Sequence, residues 1–120
     1  MIRGVRGATT IAVDEQELVW GATAQLVQEM VKANNIEIEH IASITVSTTP
    51  DITSAFPAKA VRTLEGWQYV PIMCTHEMNV AGALPLCIRV LMLVNTDVKQ
   101  ADVQHIYLND AVSLRPDLVR

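Results

Sequence analysis

The chain has 120 residues, enough for one domain (residues 1–120) around a single core and too few for two domains of ordinary size. Half of its residues are hydrophobic and only 4% are aromatic. A net charge of −4 argues against a broad nucleic-acid surface.

In chain order, IRGVRGATTIAV reads as an opening strand. Its two Arg-Gly pairs are unusual, because glycine weakens a strand and marks a close approach by something else. DEQELVWGATAQLVQEMVKANN is the main helix, with Asp14 and Glu17 spaced as a capping box and Asn34 and Asn35 as stop signals. Its expected buried stripe is Leu18, Ala22, Leu26 and Met30, widened by Val19, Val27 and Val31. IASITVSTT alternates and is rich in β-branched residues, so it is a strand. PDITSAFP is a polar loop carrying Phe56. PAKAVRTLEG is a short helix opened by Pro57 and closed by Gly66, with Lys59 and Arg62 on one face.

WQYVPIMC reads as a further strand and THEMNVAGALP as a turn-rich connection. LCIRVLMLVNT has the composition of a central strand buried on both faces. DVKQADVQ is a polar turn, HIYLNDAVSL a last strand with its continuation, and RPDLVR a tail. The pattern is α+β: a mixed sheet with helices on one face. The other face has no cover within the chain, so association with a second copy is expected.

Arg89 stands in the middle of the most apolar stretch, where an unpaired charge would cost several kcal/mol (about 3–5). Two readings are open. Arg89 pairs structurally with Glu77, or it lines a cleft and faces a ligand anion. Six arginines against three lysines favour the planar grip on carboxylates or phosphates and lend weight to the second. For Arg6 and Arg115, plain surface solvation is the ordinary alternative.

Cys74 and Cys87 are the only cysteines, and they suit a reducing compartment. His76 follows Cys74 by two residues, yet no third group orients the pair for nucleophilic catalysis. His40, His76 and His105 lack metal-ligand spacing, so no metal is expected. No apolar run reaches membrane-spanning length, and MIRGVRGATT lacks the apolar core of a signal peptide; a cytoplasmic protein is expected.

The blocks IRGVRGATT, TPDITSAFPAKAVR, GWQYVPIMCTHEMNV, CIRVLMLVNTD, HIYLNDAV and LRPDL together resemble the monofunctional chorismate mutases of the AroH class, in order and over nearly the whole chain. The resemblance implies a homotrimeric pseudo-α/β barrel with clefts between subunits. It implies a cofactor-free Claisen rearrangement of the dicarboxylate chorismate to prephenate, on the way to phenylalanine and tyrosine. Neither nucleic acid nor membrane is an implied partner. By resemblance Arg89 meets the breaking ether bond, and Glu77 and Cys74 contact the ring hydroxyl. Arg6 and Tyr107 grip the side-chain carboxylate. Phe56, Ala58, Lys59, Arg62, Ile72 and Met73 form a wall around the cleft, Met73 through its backbone. Leu114 and Arg115 close over it. Three rival readings are an enamine/imine deaminase on a similar trimer, a dicarboxylate-binding module, and a structural oligomer. Arg6, Glu77, Arg89 and Tyr107 occurring together weigh against all three.

Overall fold

The computed structural model describes residues 1–118; Val119 and Arg120, the end of the expected tail, lie outside the described residues. Five strands form one mixed sheet: β1 (Ile2–Thr10), β2 (Ile41–Thr48), β3 (Ile72–His76), β4 (Cys87–Asn95) and β5 (Ile106–Tyr107), in the order β3-β2-β4-β1-β5. β4 is central and antiparallel to both β1 and β2, while β3 and β5 add in parallel at the two edges. α1 (Gln16–Ala33) connects β1 to β2, and α2 (Ala58–Arg62) lies between β2 and β3. The α+β layer expected from the pattern is therefore present. Among the described residues no helix is long and apolar enough to cross a membrane.

The strand period of two decides which residues meet α1. Val5 of β1, Ile44 and Val46 of β2, and Ile88, Val90, Met92 and Val94 of β4 are buried on the helix side. Against them α1 lays Val19, Thr23, Leu26, Val27 and Met30. The stripe is rotated from the expected one: Leu18 is 39% exposed, while Thr23 is buried and donates its hydroxyl hydrogen to the Val19 carbonyl at 2.7 Å. Ile52, Val61 and Trp67 complete the core. Gly7 shows why β1 carries glycine. A Cβ there would lie 2.5 Å from Met30 Sδ and 3.0 Å from Leu26 Cδ1, so a missing side chain sets the close approach of α1.

Several local expectations are corrected. The capping box does not form; the helix starts after Glu15 without a side-chain cap. Asp14 instead accepts from the Thr53 amide at 2.9 Å, the Thr53 hydroxyl at 3.1 Å and the Ser54 amide at 3.2 Å, three donors that outbid the helix end. Trp67–Val70 is not strand. The Trp67 amide turns back to the Leu64 carbonyl and the Val70 amide to the Trp67 carbonyl, which drives the indole into the core, and the strand begins only after Pro71. Thr75 and His76, expected in a connection, close β3.

β4 is fully buried along the face under α1, whereas on the other face only Cys87 is fully buried, Arg89 and Leu93 are half-buried and Leu91 is 42% exposed. β5 is two residues long, because the chain turns at Asn109, with φ at 53°, into a 3-10 segment (Asn109–Leu114). The Asn109 side chain holds that turn by donating from Nδ2 to the Thr9 hydroxyl at 3.0 Å.

Two outcomes follow. Gly7→Ala overpacks the layer between β1 and α1 and is expected to lower stability by about 1–3 kcal/mol in a denaturant melt. Hydrogen bonds from Ser54 first and Thr53 second hold the Asp14 carboxyl below its ordinary value of 3.8. A depressed folded value means the stabilisation is present above the unfolded pKa and lost as pH falls through the folded one. Asp14→Ala should therefore melt lower than the wild type at pH 7, with the two melting temperatures converging as pH drops below about 4.

Candidate active site

The uncovered sheet face carries the first group of expected residues. Arg89 stands opposite Ala8 on β1 and Ser47 on β2, so small neighbours leave room around its guanidinium. Arg6 lies two pairs along and so on the same face, opposite Leu91, and Tyr107 of β5 lies beside Ala8. The Arg6 backbone is steadied by its amide, which donates to His105 Nδ1 at 3.0 Å. The 3-10 segment brings Leu114 and Arg115 back over this face. The result is a concavity of about 360 Å³ lined by Arg6, Glu77, Arg89, Tyr107, Leu114 and Arg115, among others.

Arg89 is not enclosed as its apolar surroundings suggested: its side chain is 43% exposed. Its Nε, however, is buried without a hydrogen-bond partner among the described residues. Glu77 Oε2 lies 3.7 Å from it, an ion-pair distance but beyond a hydrogen bond. Glu77 is itself placed by its amide on the Thr48 carbonyl at 2.7 Å, one step past the end of β3. A half-open pair of this kind contributes little to stability. Arg115 is tied to Asp117 by two bonds of 3.1 and 3.0 Å, which hold its pKa up and that of Asp117 down.

Beneath Arg89 lies Cys87, fully buried with Ala8 and Ala111. Burial pushes its thiol up despite the pull of Arg89, so it is a neutral thiol near pH 7. The approach to β4 is strained and braced. Leu86 sits at φ 50°, a left-handed conformation costing a leucine about 1–2 kcal/mol. Its amide donates to Asp51 Oδ2 at 2.9 Å. The Thr49 hydroxyl donates to Asp51 Oδ1 and accepts from the Cys87 amide, the latter at 3.0 Å. Thr49, Asp51 and Leu86 thus set where β4, and with it Arg89, begins. Sequence reasoning did not single them out.

The second group lies on the helix-covered side. Cys74 pairs with Val46 in register and faces the same way, as does Ile72 beside Ile44. With Phe56, Lys59 and Arg62, Cys74 borders a cavity of about 650 Å³ that also reaches Trp20, Thr48 and His76. Among the described residues no carboxylate lines it. His76 turns its Nε2 to the Ile52 carbonyl at 3.3 Å rather than serving Cys74. Ala58 is buried and packs inward. Met73, 71% exposed, points to the opposite, open face. The expected residues therefore form two cationic half-sites on opposite faces of one sheet, and a single chain does not bring them together. Among the described residues no cluster of His, Cys, Asp and Glu could hold a metal ion.

The sequence model of the chorismate mutase type I family matches residues 2–118. The chain is 50% identical over 118 residues to "Chorismate mutase AroH" of Bacillus subtilis (strain 168), covering 98% of this chain and 93% of that protein. It is 47% identical over 119 residues to "Chorismate mutase AroH" of Thermus thermophilus, covering 98% and 97%. The fold matches the solved structure of a chorismate mutase from Clostridium thermocellum with a TM-score of 0.89 at 41% identity, over 92% of this chain and 97% of that one. The chain belongs to the chorismate mutase type I family.

Proposed function

We propose that this chain rearranges chorismate to prephenate, as a cytoplasmic homotrimer whose active sites form between neighbouring copies. The observation that carries the reading is Arg89: a guanidinium whose buried Nε makes no hydrogen bond among the described residues, flanked by Arg6 and Tyr107 in a concavity open to solvent on one chain. In the reaction an ether C–O bond breaks while a C–C bond forms within the same molecule. No proton, nucleophile or electron acceptor takes part. Catalysis then consists of holding a compact conformer and stabilising charge where it develops.

Arg89 meets the ether oxygen as negative charge builds there, and also a substrate carboxylate. Arg6 and Tyr107 hold the side-chain carboxylate. Glu77 accepts from the ring hydroxyl. Leu114 and Arg115 close the open side.

The opposite wall comes from the next copy: Phe56, Lys59 and Arg62, supported by Ala58 and Ile72. Lys59 and Arg62 draw the second carboxylate, and Cys74 gives the ring hydroxyl a polar contact. Met73 contributes backbone. This assignment accounts for the split across the sheet, because Cys74 and Glu77 face opposite ways on one chain. It also accounts for the partly exposed Leu91 and Leu93, which a neighbouring copy would bury. Drying the cleft strengthens every charge contact inside it.

The first experiment follows the ultraviolet absorbance of chorismate mixed with the purified protein and identifies prephenate by acid conversion to phenylpyruvate. Rapid loss is expected; no acceleration over the uncatalysed rate would sink the reading. Arg89→Lys keeps the charge but loses the planar fork, and should lower kcat about 10²–10³-fold with the assembly intact. A composite cleft adds a second outcome. Arg89→Ala chains and Lys59→Ala/Arg62→Ala chains, each nearly inactive alone, should regain about a quarter of wild-type activity when co-expressed in equal amounts, since each cleft draws its two halves independently. Co-expression that restores nothing would place both halves on one chain.

A further inference from the structure

Trp20 projects from α1 into the helix-side cavity, half-buried, between the loop that carries Phe56 and the helix that carries Lys59. Two contacts fix it. Its indole N–H donates to the Phe56 carbonyl at 3.1 Å, and the Lys59 ammonium lies 4.8 Å from its ring centroid. It is not among the residues that fill the core, whereas the other tryptophan, Trp67, is buried there.

Lysine is a flexible point charge, and an unordered one must be immobilised each time it meets an anion. The face of an indole is the best aromatic partner for a cation. Unlike a carboxylate, it orients the ammonium without neutralising it. Among the described residues Lys59 and Arg62 form no ion pair, and the cavity wall carries no acidic side chain to compete. The Phe56 carbonyl bond adds a second fixed point, on the loop immediately before α2.

We propose that Trp20 is a positioning residue for substrate binding: it holds the Phe56 loop and the Lys59 ammonium in place to receive the substrate carboxylate on this wall. The proposal deepens the chorismate mutase reading and rests on it.

The test is steady-state turnover of chorismate by wild type, Trp20→Leu, Trp20→Phe, Lys59→Gln and the Trp20→Leu/Lys59→Gln double variant. Trp20→Leu should raise KM about five- to tenfold, with kcat within about twofold of wild type. Trp20→Phe keeps a ring face for Lys59 and should recover most of the lost KM. In the Lys59→Gln background Trp20→Leu should add less than about twofold, because its partner is already gone. A purely structural role would cost the same in both backgrounds. Should Trp20→Leu not fold, Trp20→Met removes the π face with a side chain of similar reach. An unchanged KM, or an equal rise with and without Lys59, overturns the proposal while wild-type turnover leaves the mutase reading standing. A wild-type chain that leaves chorismate untouched overturns both.

Discussion

A residue in a strand can face only one side of its sheet, and the organisation of this molecule follows from how that rule falls on β4. Ile88, Val90, Met92 and Val94 are committed to the layer beneath α1. Arg89 stands between two of them and therefore faces away from α1, onto a surface that the 3-10 segment Asn109–Leu114 covers only in part. The charge is tolerated in an apolar strand because it does not enter the core at all. The same alternation sends Arg6, Tyr107 and Glu77 to the Arg89 side and Cys74 to the other.

Charge is distributed against the net balance of the chain. An acidic protein gathers Arg6, Arg89 and Arg115 into one concavity and Lys59 with Arg62 into another. Arg115 is tied to Asp117, but the other cations are held off hydrogen bonds to carboxylates. Glu77 stays beyond hydrogen-bond reach of Arg89, and Lys59 rests on an indole face. Preorganised cations with hydrogen-bonding capacity to spare are what a reaction that only redistributes electrons within a dianion can use.

Much of the architecture was legible because it rests on periodicity. The β-branched alternation of Ile41–Thr48, the apolar run from Cys87 and the long 3.6-residue pattern after Asp14 all became the elements they resembled. The α+β layer and the bare face followed from their order. Errors arose where a tertiary partner outbid a local one. Asp14 had the spacing of a cap but was claimed by Thr53 and Ser54, thirty-nine and forty residues on. The Trp67–Val70 segment had strand composition, yet the core took the Trp67 ring and turned the backbone. β4 looked buried on both faces because composition cannot distinguish a face covered by the chain itself from one left open. For the candidate site, the expected residues came from family resemblance. The division of those residues between two faces was not, since it depends on register. Trp20 and the Thr49–Asp51 brace carry no motif and became visible only through their contacts.

The brace between Asp51 and Leu86 joins two distant parts of the molecule. From Thr49 and Asp51 the chain runs directly to Phe56 and α2, the helix-side half-site; through Leu86 the same residues set the foot of the strand that carries Arg89. Each chain thus has a short strut between its two half-sites, anchored at a left-handed leucine. In an assembly where those half-sites belong to different clefts, the strut does not stiffen one active site. It links one to the next, so that around a closed ring every cleft shares a mechanical element with both of its neighbours.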